Sequence, residues 1–335
     1  MRITILGAGG FLGRKLAARL AADGALGGRA IERLVLFDLA SPPAPDAPFP
    51  VERLVGDLAE LHEAAIPEGT DVVFHLAAVV SAAAEADYDL GMRANLHGTE
   101  RVIAACRPLA GRPRVVFTSS VASFSGGQNA VLGDDARQVP ANSYGAEKAA
   151  AELLLQDASR RGFLDAVNLR LPTVIVRPGR PNQAASSFVS SIIREPLLGL
   201  QTDLPVREDF AVWVASPKRV IEWFLHAATL DSGPMGLDRG VNPPGLSVSV
   251  GQMLAVLEAE QPGAAALVRR VPDPRIGAIV ATWPAAFVPE RARRLGFAEH
   301  EPLREVVRDF IATDLAATRA ERGMAVPAAG GAGGA

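Results

Sequence analysis

The chain has 335 residues, 49% hydrophobic and 21% charged, with a net charge of −3. This length can bury one large core or two modest ones, and the balance is that of an ordinary soluble globular protein. A mildly acidic chain gives no electrostatic reason to bind nucleic acid or an anionic membrane, and a lone cysteine, Cys106, excludes an intramolecular disulfide.

The single cysteine suits a reducing compartment, and the expected location is the cytoplasm. The opening "MRITILGAGGFLGRK" has too short an apolar stretch and too much glycine for a secretory signal. The longest nearly apolar run, "VVFHLAAVVSAAA", falls well short of the roughly 20 residues that span a bilayer.

In chain order, "RITIL" reads as a first strand and residues 10–22 as a helix. Between them lies Gly7-Ala-Gly-Gly10-Phe-Leu-Gly13, spaced GxxGxxG. Glycines at a strand-to-helix turn let the backbone approach a pyrophosphate, and the helix N-terminus supplies amide donors. The second strand, "RLVLFD", ends in Asp38. An acid there accepts hydrogen bonds from ribose hydroxyls and repels a 2′-phosphate, which favours NAD over NADP. The proline-rich "SPPAPDAPFP" is a surface loop, because a third strand, "VERLVG", follows at once. Asp57, next in line, either meets an adenine edge or caps the following helix.

"DVVFHLAA" and "RVVFTSS" supply a fourth and a fifth strand, with a helical pattern over 86–106 between them. These runs are continuous rather than alternating, as expected for strands covered on both faces. "NSYGAEKAAAELLL" then opens a helix over 143–160, capped by Asn142 or Ser143. On it Tyr144 and Lys148 lie one turn apart on one face, in a chain with two tyrosines and three lysines (Lys15, Lys148, Lys218). The strand–helix rhythm predicts an α/β, Rossmann-type, doubly wound parallel sheet over residues 1–173. Beyond it the pattern is irregular, with helices near 184–194, 217–229 and 249–260. We read 174–320 as a smaller capping region interleaved with the sheet domain, and 321–335, which ends in "AVPAAGGAGGA", as a disordered tail.

Taken together, the glycine loop, "HLAA", "NLHGT" at 95–99, "VVFTSS", the tyrosine–lysine pair and "LRLPTVIVRPG" resemble the extended short-chain dehydrogenase/reductase family over nearly all of residues 1–315. The resemblance implies Tyr144 as acid/base, Lys148 as its support and ribose ligand, and Ser120 as the group orienting the substrate hydroxyl. It places NAD against Gly7, Gly10, Phe11, Leu12, Gly13, Asp38, Asp57, Leu58, Ala77, Asn95, Tyr144, Lys148 and Pro172. Leu6 departs from the threonine common before the first glycine. "VASPKRV" at 214–220 departs from the usual acidic segment, which puts nucleotide-sugar chemistry in doubt.

The chemistry agrees with those residue types. A free tyrosine has a pKa of about 10, and bringing it near 7 needs roughly 4 kcal/mol of preferential stabilisation of the anion. A lysine one turn away is the expected source of positive charge, and Ser120, rather than Ser119 on the opposite strand face, is expected to hold the reacting oxygen.

Within the family, segments such as "LPTVIVRPGRPNQAASSF" resemble dehydrogenases of a small sugar acid. Such a substrate needs a carboxylate clamp, for which Arg180, Asn182 and Arg219 are candidates, with Ser81 as a neighbouring hydroxyl donor. A nucleotide-sugar epimerase or dehydratase with tightly held NAD is an alternative, and a non-catalytic NAD sensor is another. The five histidines have no metal-ligand spacing, so no metal is expected; His75, at a strand end, reads as a core residue. Apolar helices at 86–106 and 143–160 suggest a homodimer.

Overall fold

A computed structural model describes residues 1–127, 130–181 and 185–324. The N-terminal part runs β1 (Arg2–Leu6), α1 (Phe11–Asp23), β2 (Arg33–Asp38), β3 (Val51–Val55), β4 (Val72–His75), α2 (Ser81–Ala86), α3 (Tyr88–Gly91), α4 (Gly98–Cys106), β5 (Arg114–Ser120), α5 (Ser143–Arg160) and β6 (Asp165–Leu171). There follow β7 (Thr173–Val174), α6 (Ser187–Leu197), β8 (Ala211–Ala215), α7 (Pro217–Thr229), β9 (Gly240–Val241), β10 (Leu246–Ser249) and α8 (Val250–Glu260). Four further helices complete the chain: α9 (Pro274–Val280), α10 (Glu290–Arg294), α11 (Leu303–Thr313) and α12 (Leu315–Glu321).

The main sheet has seven strands in the order β9-β6-β5-β4-β1-β2-β3. Every pair in it is parallel. This is the Rossmann order, extended at one edge by β9. Alternate residues of the continuous apolar strands face opposite ways and build two cores. Ile3, Ile5, Leu34 and Phe74 join α1 and α7 on one face, while Leu6, Phe37, Val73 and Phe117 join α4 and α5 on the other. The third strand departs from expectation: β3 is an edge strand with no buried residue, so it is not covered on both faces.

The segment 86–106 is not one helix. Asp87 ends α2 and caps α3, and a wide π-type turn over Met92–His97 precedes α4. Such widened turns mark places where a side chain must be re-aimed, and Asn95 sits in this one. The first capping-region helix begins later than the pattern suggested, at Ser187 rather than 184.

A second core lies beyond residue 174, built from α6, β8, α8 and α11. Its sheet, β7-β8-β10, mixes a parallel with an antiparallel pair. The two parts interleave, because β9 pairs with β6 and α7 packs into the core under β1. The tail assignment needs correction at its start. α12 reaches Glu321, and Arg322 pairs with Glu195 at 2.6 Å, so ordered structure passes the expected boundary at 321; residues 325–335 lie outside those described.

Helix α5 crosses the turn after β5 closely enough to require glycine at position 145. A Cβ there would lie 2.8 Å from the Ala122 carbonyl carbon and 3.1 Å from Pro140 Cβ. In an ordinary helix Gly→Ala stabilises, by about 1 kcal/mol. Here the overlap should reverse the sign, and Gly145→Ala is expected to cost ~1–3 kcal/mol. Thermal unfolding checks this, and an unchanged or raised Tm would refute the contact.

Candidate active site

The glycine loop leaves the C-terminal end of β1 and rests on the segment after β4. Gly7 has φ +88°, and a Cβ on it would lie 2.6 Å from the Ala77 nitrogen, so a side chain is excluded there on two grounds. The Gly9 amide, unremarked in the sequence, donates to Asp38 Oδ2 at 2.8 Å, while Leu39 N–H donates to Oδ1 at 2.8 Å. The loop and the acid at the end of β2 are thereby one unit. Helix α1 starts at Gly10 with no side-chain cap and no acid in its first turn. Its first amides are therefore open to an anion. Gly13 lies in that first turn, and Phe11 and Leu12 pack partly buried on the core. An uncapped helix start beside a ribose-type acid fits the pyrophosphate and adenosine ribose of NAD.

Other expected cofactor residues are placed differently. Asp57 accepts from Ala59 N–H at 2.8 Å and pairs with Arg93 at 2.8 Å, which is the capping alternative. The Leu58 side chain is buried against Gly98, leaving only its backbone to face a nucleotide. Asn95 accepts from Val79 N–H at 2.9 Å and donates to Val79 O at 3.0 Å and to Glu147 Oε2 at 2.6 Å. Both its amide protons are used, so it grips the loop after β4. Pro172 is buried in the link between β6 and β7.

At the neighbouring strand ends, Ser120 closes β5 and Asn142 caps α5 by accepting from Gly145 N–H at 2.8 Å. The Tyr144 hydroxyl shares a hydrogen bond with Ser120, whose Oγ also accepts from Ala122 N–H at 3.1 Å. Ser119 points the other way and donates to Glu152. Lys148 is 1% exposed, with Nζ 4.5 Å from the Phe117 ring centre and 5.6 Å from that of Tyr144. The structure thus brings Ser120, Tyr144 and Lys148 together.

Burial pushes the Lys148 ammonium down to about 7, against the pull of Glu147 and Glu152. Tyr144 is pushed up from its usual value by burial, and Arg177 and the Ser120 hydrogen bond oppose that rise. Arg177 is thus a second cation acting on the phenol beside Lys148. Sequence reasoning passed over Arg177 in favour of Arg180. The signal that marks it is the apolar run "PTVIV" directly before it, which carries the chain along the buried end of the sheet.

Behind this set lies a polar layer that was also missed. Glu152, one turn beyond Lys148, pairs with Arg170 at 2.9 Å and accepts from Gln138 Nε2 at 3.0 Å. His75 Nε2 and Thr99 Oγ1 are 2.9 Å apart, and the Thr99 hydroxyl already donates to Asn95 O at 2.8 Å. His75 must then be the Nε2–H donor. Burial and Lys148 push its pKa down to about 3, so it stays neutral, in keeping with a core role.

The described clamp candidates, Arg180 and Arg219, stand in different settings. Arg219 lies in the first turn of α7, committed to Glu222 and to Glu301 at 3.2 Å, so its guanidinium is already neutralised. Arg180 is exposed beyond Gly179, and Asn182 lies outside the described residues. Ser81 starts α2, half-buried, two residues after the loop held by Asn95. Among the described residues no group of three acidic, histidine or cysteine side chains could hold a metal, and no helix is long and apolar enough to cross a membrane.

Residues 3–213 match the NAD dependent epimerase/dehydratase family. The chain is 45% identical over 318 residues to a D-erythronate dehydrogenase of Cupriavidus necator, covering 93% of this chain and 98% of that one. It is 40% identical over 323 residues to a D-erythronate dehydrogenase of Haemophilus influenzae, covering 94% and 100%. A solved structure described as a nucleoside-diphosphate-sugar epimerase from Agrobacterium tumefaciens superposes with a TM-score of 0.88 at 42% identity, over 94% of each chain. With its parallel sheet, its uncapped glycine loop and these end-to-end likenesses, the chain belongs to the NAD-dependent epimerase/dehydratase family and is an NAD-dependent oxidoreductase.

Proposed function

We propose that the protein oxidises D-erythronate at its C2 hydroxyl to the 2-oxo acid. The observation that carries dehydrogenase chemistry is the Tyr144–Ser120 hydrogen bond above a buried Lys148. The choice of substrate is supported by the two full-length relatives.

Gly7, Gly10 and Gly13 would hold the pyrophosphate and Asp38 the adenosine ribose. When bound, NAD supplies the acceptor for the hydride that leaves C2. Ser120 holds the C2 oxygen by hydrogen bond, and Tyr144, as phenolate, takes its proton while the C2–O bond becomes a carbonyl. The proton passes to Tyr144 and the electron pair of the C2–H bond leaves with the hydride, so charge and atoms balance. Lys148 would bond the nicotinamide-side ribose, and while protonated its charge favours the phenolate over the phenol. Asn95, through Glu147 and Val79, positions the loop that carries Ser81. The exposed Leu153 and Leu154 of α5 and Tyr88 and Leu90 of α3 support a homodimer, and the free, buried Cys106 agrees with a cytoplasmic location.

A second reading, nucleotide-sugar epimerisation, is favoured by the likeness to the nucleoside-diphosphate-sugar epimerase of Agrobacterium tumefaciens. The two differ in net NADH production. Wild-type enzyme should form NADH with D-erythronate at a kcat/KM about a hundredfold or more above that with erythritol, since donors built for a carboxylate stay unpaired with the neutral analogue. A UDP-sugar should neither be turned over nor inhibit at micromolar concentration; conversion of one without net NADH would establish the epimerase instead.

Tyr144→Phe should lower kcat by about 100-fold or more while NAD still binds, as read by protein fluorescence. Retention of more than a few per cent of wild-type kcat would remove Tyr144 from the acid/base role. Lys148→Met should lose both turnover and NAD affinity.

Asp38→Ala should cost NAD on the order of 1.5–3 kcal/mol and narrow the NAD/NADP ratio of kcat/KM by about tenfold. Steady-state kinetics with both cofactors test this, and a wild type that prefers NADP would contradict the role given to Asp38.

A further inference from the structure

Several arginines around the site are paired with carboxylates. Arg170 has Glu152, Arg194 and Arg322 have Glu195, and Arg219 has Glu222 and Glu301. Arg177 forms no ion pair among the described residues. Its position is nonetheless tightly built. The backbone N–H donates to Ser190 Oγ at 3.1 Å, the carbonyl accepts from Arg194 Nη1 at 2.7 Å, and Nε donates to Val174 O at 3.1 Å. These anchors orient the guanidinium and leave its two terminal nitrogens without a hydrogen-bond partner among the described residues.

The topology sets that head beside the chemistry. Leu171 is the register partner of Ser120 across β6 and β5, and Arg177 lies six residues on, along the segment leaving the same strand end. The charges acting on Arg177 are Tyr144 and, unfavourably, Arg194. A half-buried guanidinium that faces a second cation, with no carboxylate paired to it among the described residues, is suited to take an anion from outside the fold.

We propose that Arg177 binds the carboxylate of the substrate, its two terminal nitrogens meeting the two carboxylate oxygens, so that the adjacent C2 hydroxyl falls to Tyr144 and Ser120. This rests on the hydroxy-acid reading above and deepens it. The planar fork matches a carboxylate as a lysine would not. Because one guanidinium touches the carboxylate and acts on Tyr144, it selects the hydroxyl next to the carboxylate over those further along the chain. The groups facing Tyr144 are Arg177, Ser120, Glu147 and the Lys148 ammonium. Loss of Arg177 therefore removes a cation and leaves the opposing carboxylate in place.

The test is a titration of D-erythronate into NADH-saturated wild type, Arg177→Gln and Arg177→Lys, with kcat/KM measured against pH. Arg177→Gln should bind D-erythronate about thirtyfold or more weakly, with NADH affinity unchanged. The acidic limb of its kcat/KM profile should move to higher pH, because the phenolate has lost a stabilising cation. Arg177→Lys should keep the limb and lose about tenfold in binding, the fork being gone while the charge stays. Binding by Arg177→Gln within threefold of wild type overturns the proposal. Should Arg177→Gln not bind NADH, Arg177→Lys decides, and undiminished affinity there overturns it equally. If wild type binds D-threonate but not D-erythronate and Arg177→Gln loses that binding, the role of Arg177 stands and the substrate reading falls. If wild type binds no hydroxy acid at all, both fall.

Discussion

Much of this structure follows from one requirement, that a lysine be held in a dry wedge beneath the helix that also carries the tyrosine. Lys148 is almost wholly buried between α5 and β5, where an unsupported ammonium would simply lose its proton. The protein surrounds it with Glu147, Glu152 and the face of Phe117. Each carboxylate must then be satisfied in turn. Glu147 is held at Oε2 by Asn95, with Oε1 buried and without a hydrogen-bond partner among the described residues, and Glu152 is held by Arg170, Ser119 and Gln138. A polar layer consequently runs through a sheet whose buried residues are mostly apolar, and it ties α5 to β5, to β6 and to the loop after β4.

That layer explains local features which sequence patterns treat as irregularities. The wide turn at Met92–His97 aims Asn95 at Val79 and Glu147. Gly91 lies against Glu147, where a Cβ would come 3.1 Å from the carboxylate carbon. A straight helix over 86–106 would satisfy local propensity but leave the buried carboxylate without its donor. Tertiary satisfaction of a buried charge outweighs the small cost of a distorted turn.

Charge is divided between two kinds of cation. Lys148, near neutrality in its own ionisation, has a charge that depends on pH and on what binds beside it. A guanidinium stays charged throughout the physiological range. Placing Arg177 on the Tyr144 side keeps one permanent positive charge at the phenol whatever the state of the lysine.

The sheet was legible in the sequence because strands covered on both faces read as unbroken apolar runs, and the glycine loop, Asp38 and the Ser120–Tyr144–Lys148 set because each sits at a fixed local offset from a strand end or along one helix face. The edge exposure of β3, the break at 86–106 and the reach of the last helix to Glu321 were not, since each depends on which neighbour covers a segment. The settings of the candidate arginines were not legible for the same reason. Arg177, Arg180 and Arg219 are alike as residues, and what separates them is that Glu222 and Glu301 neutralise one, solvent surrounds another, and the third is half-buried with no carboxylate paired to it among the described residues. Local spacing determined the loop and the helix face, and the family resemblance pointed to the reacting groups. Only the packed structure decided which charges are paired, because pairing is a property of residues distant in sequence and adjacent in space.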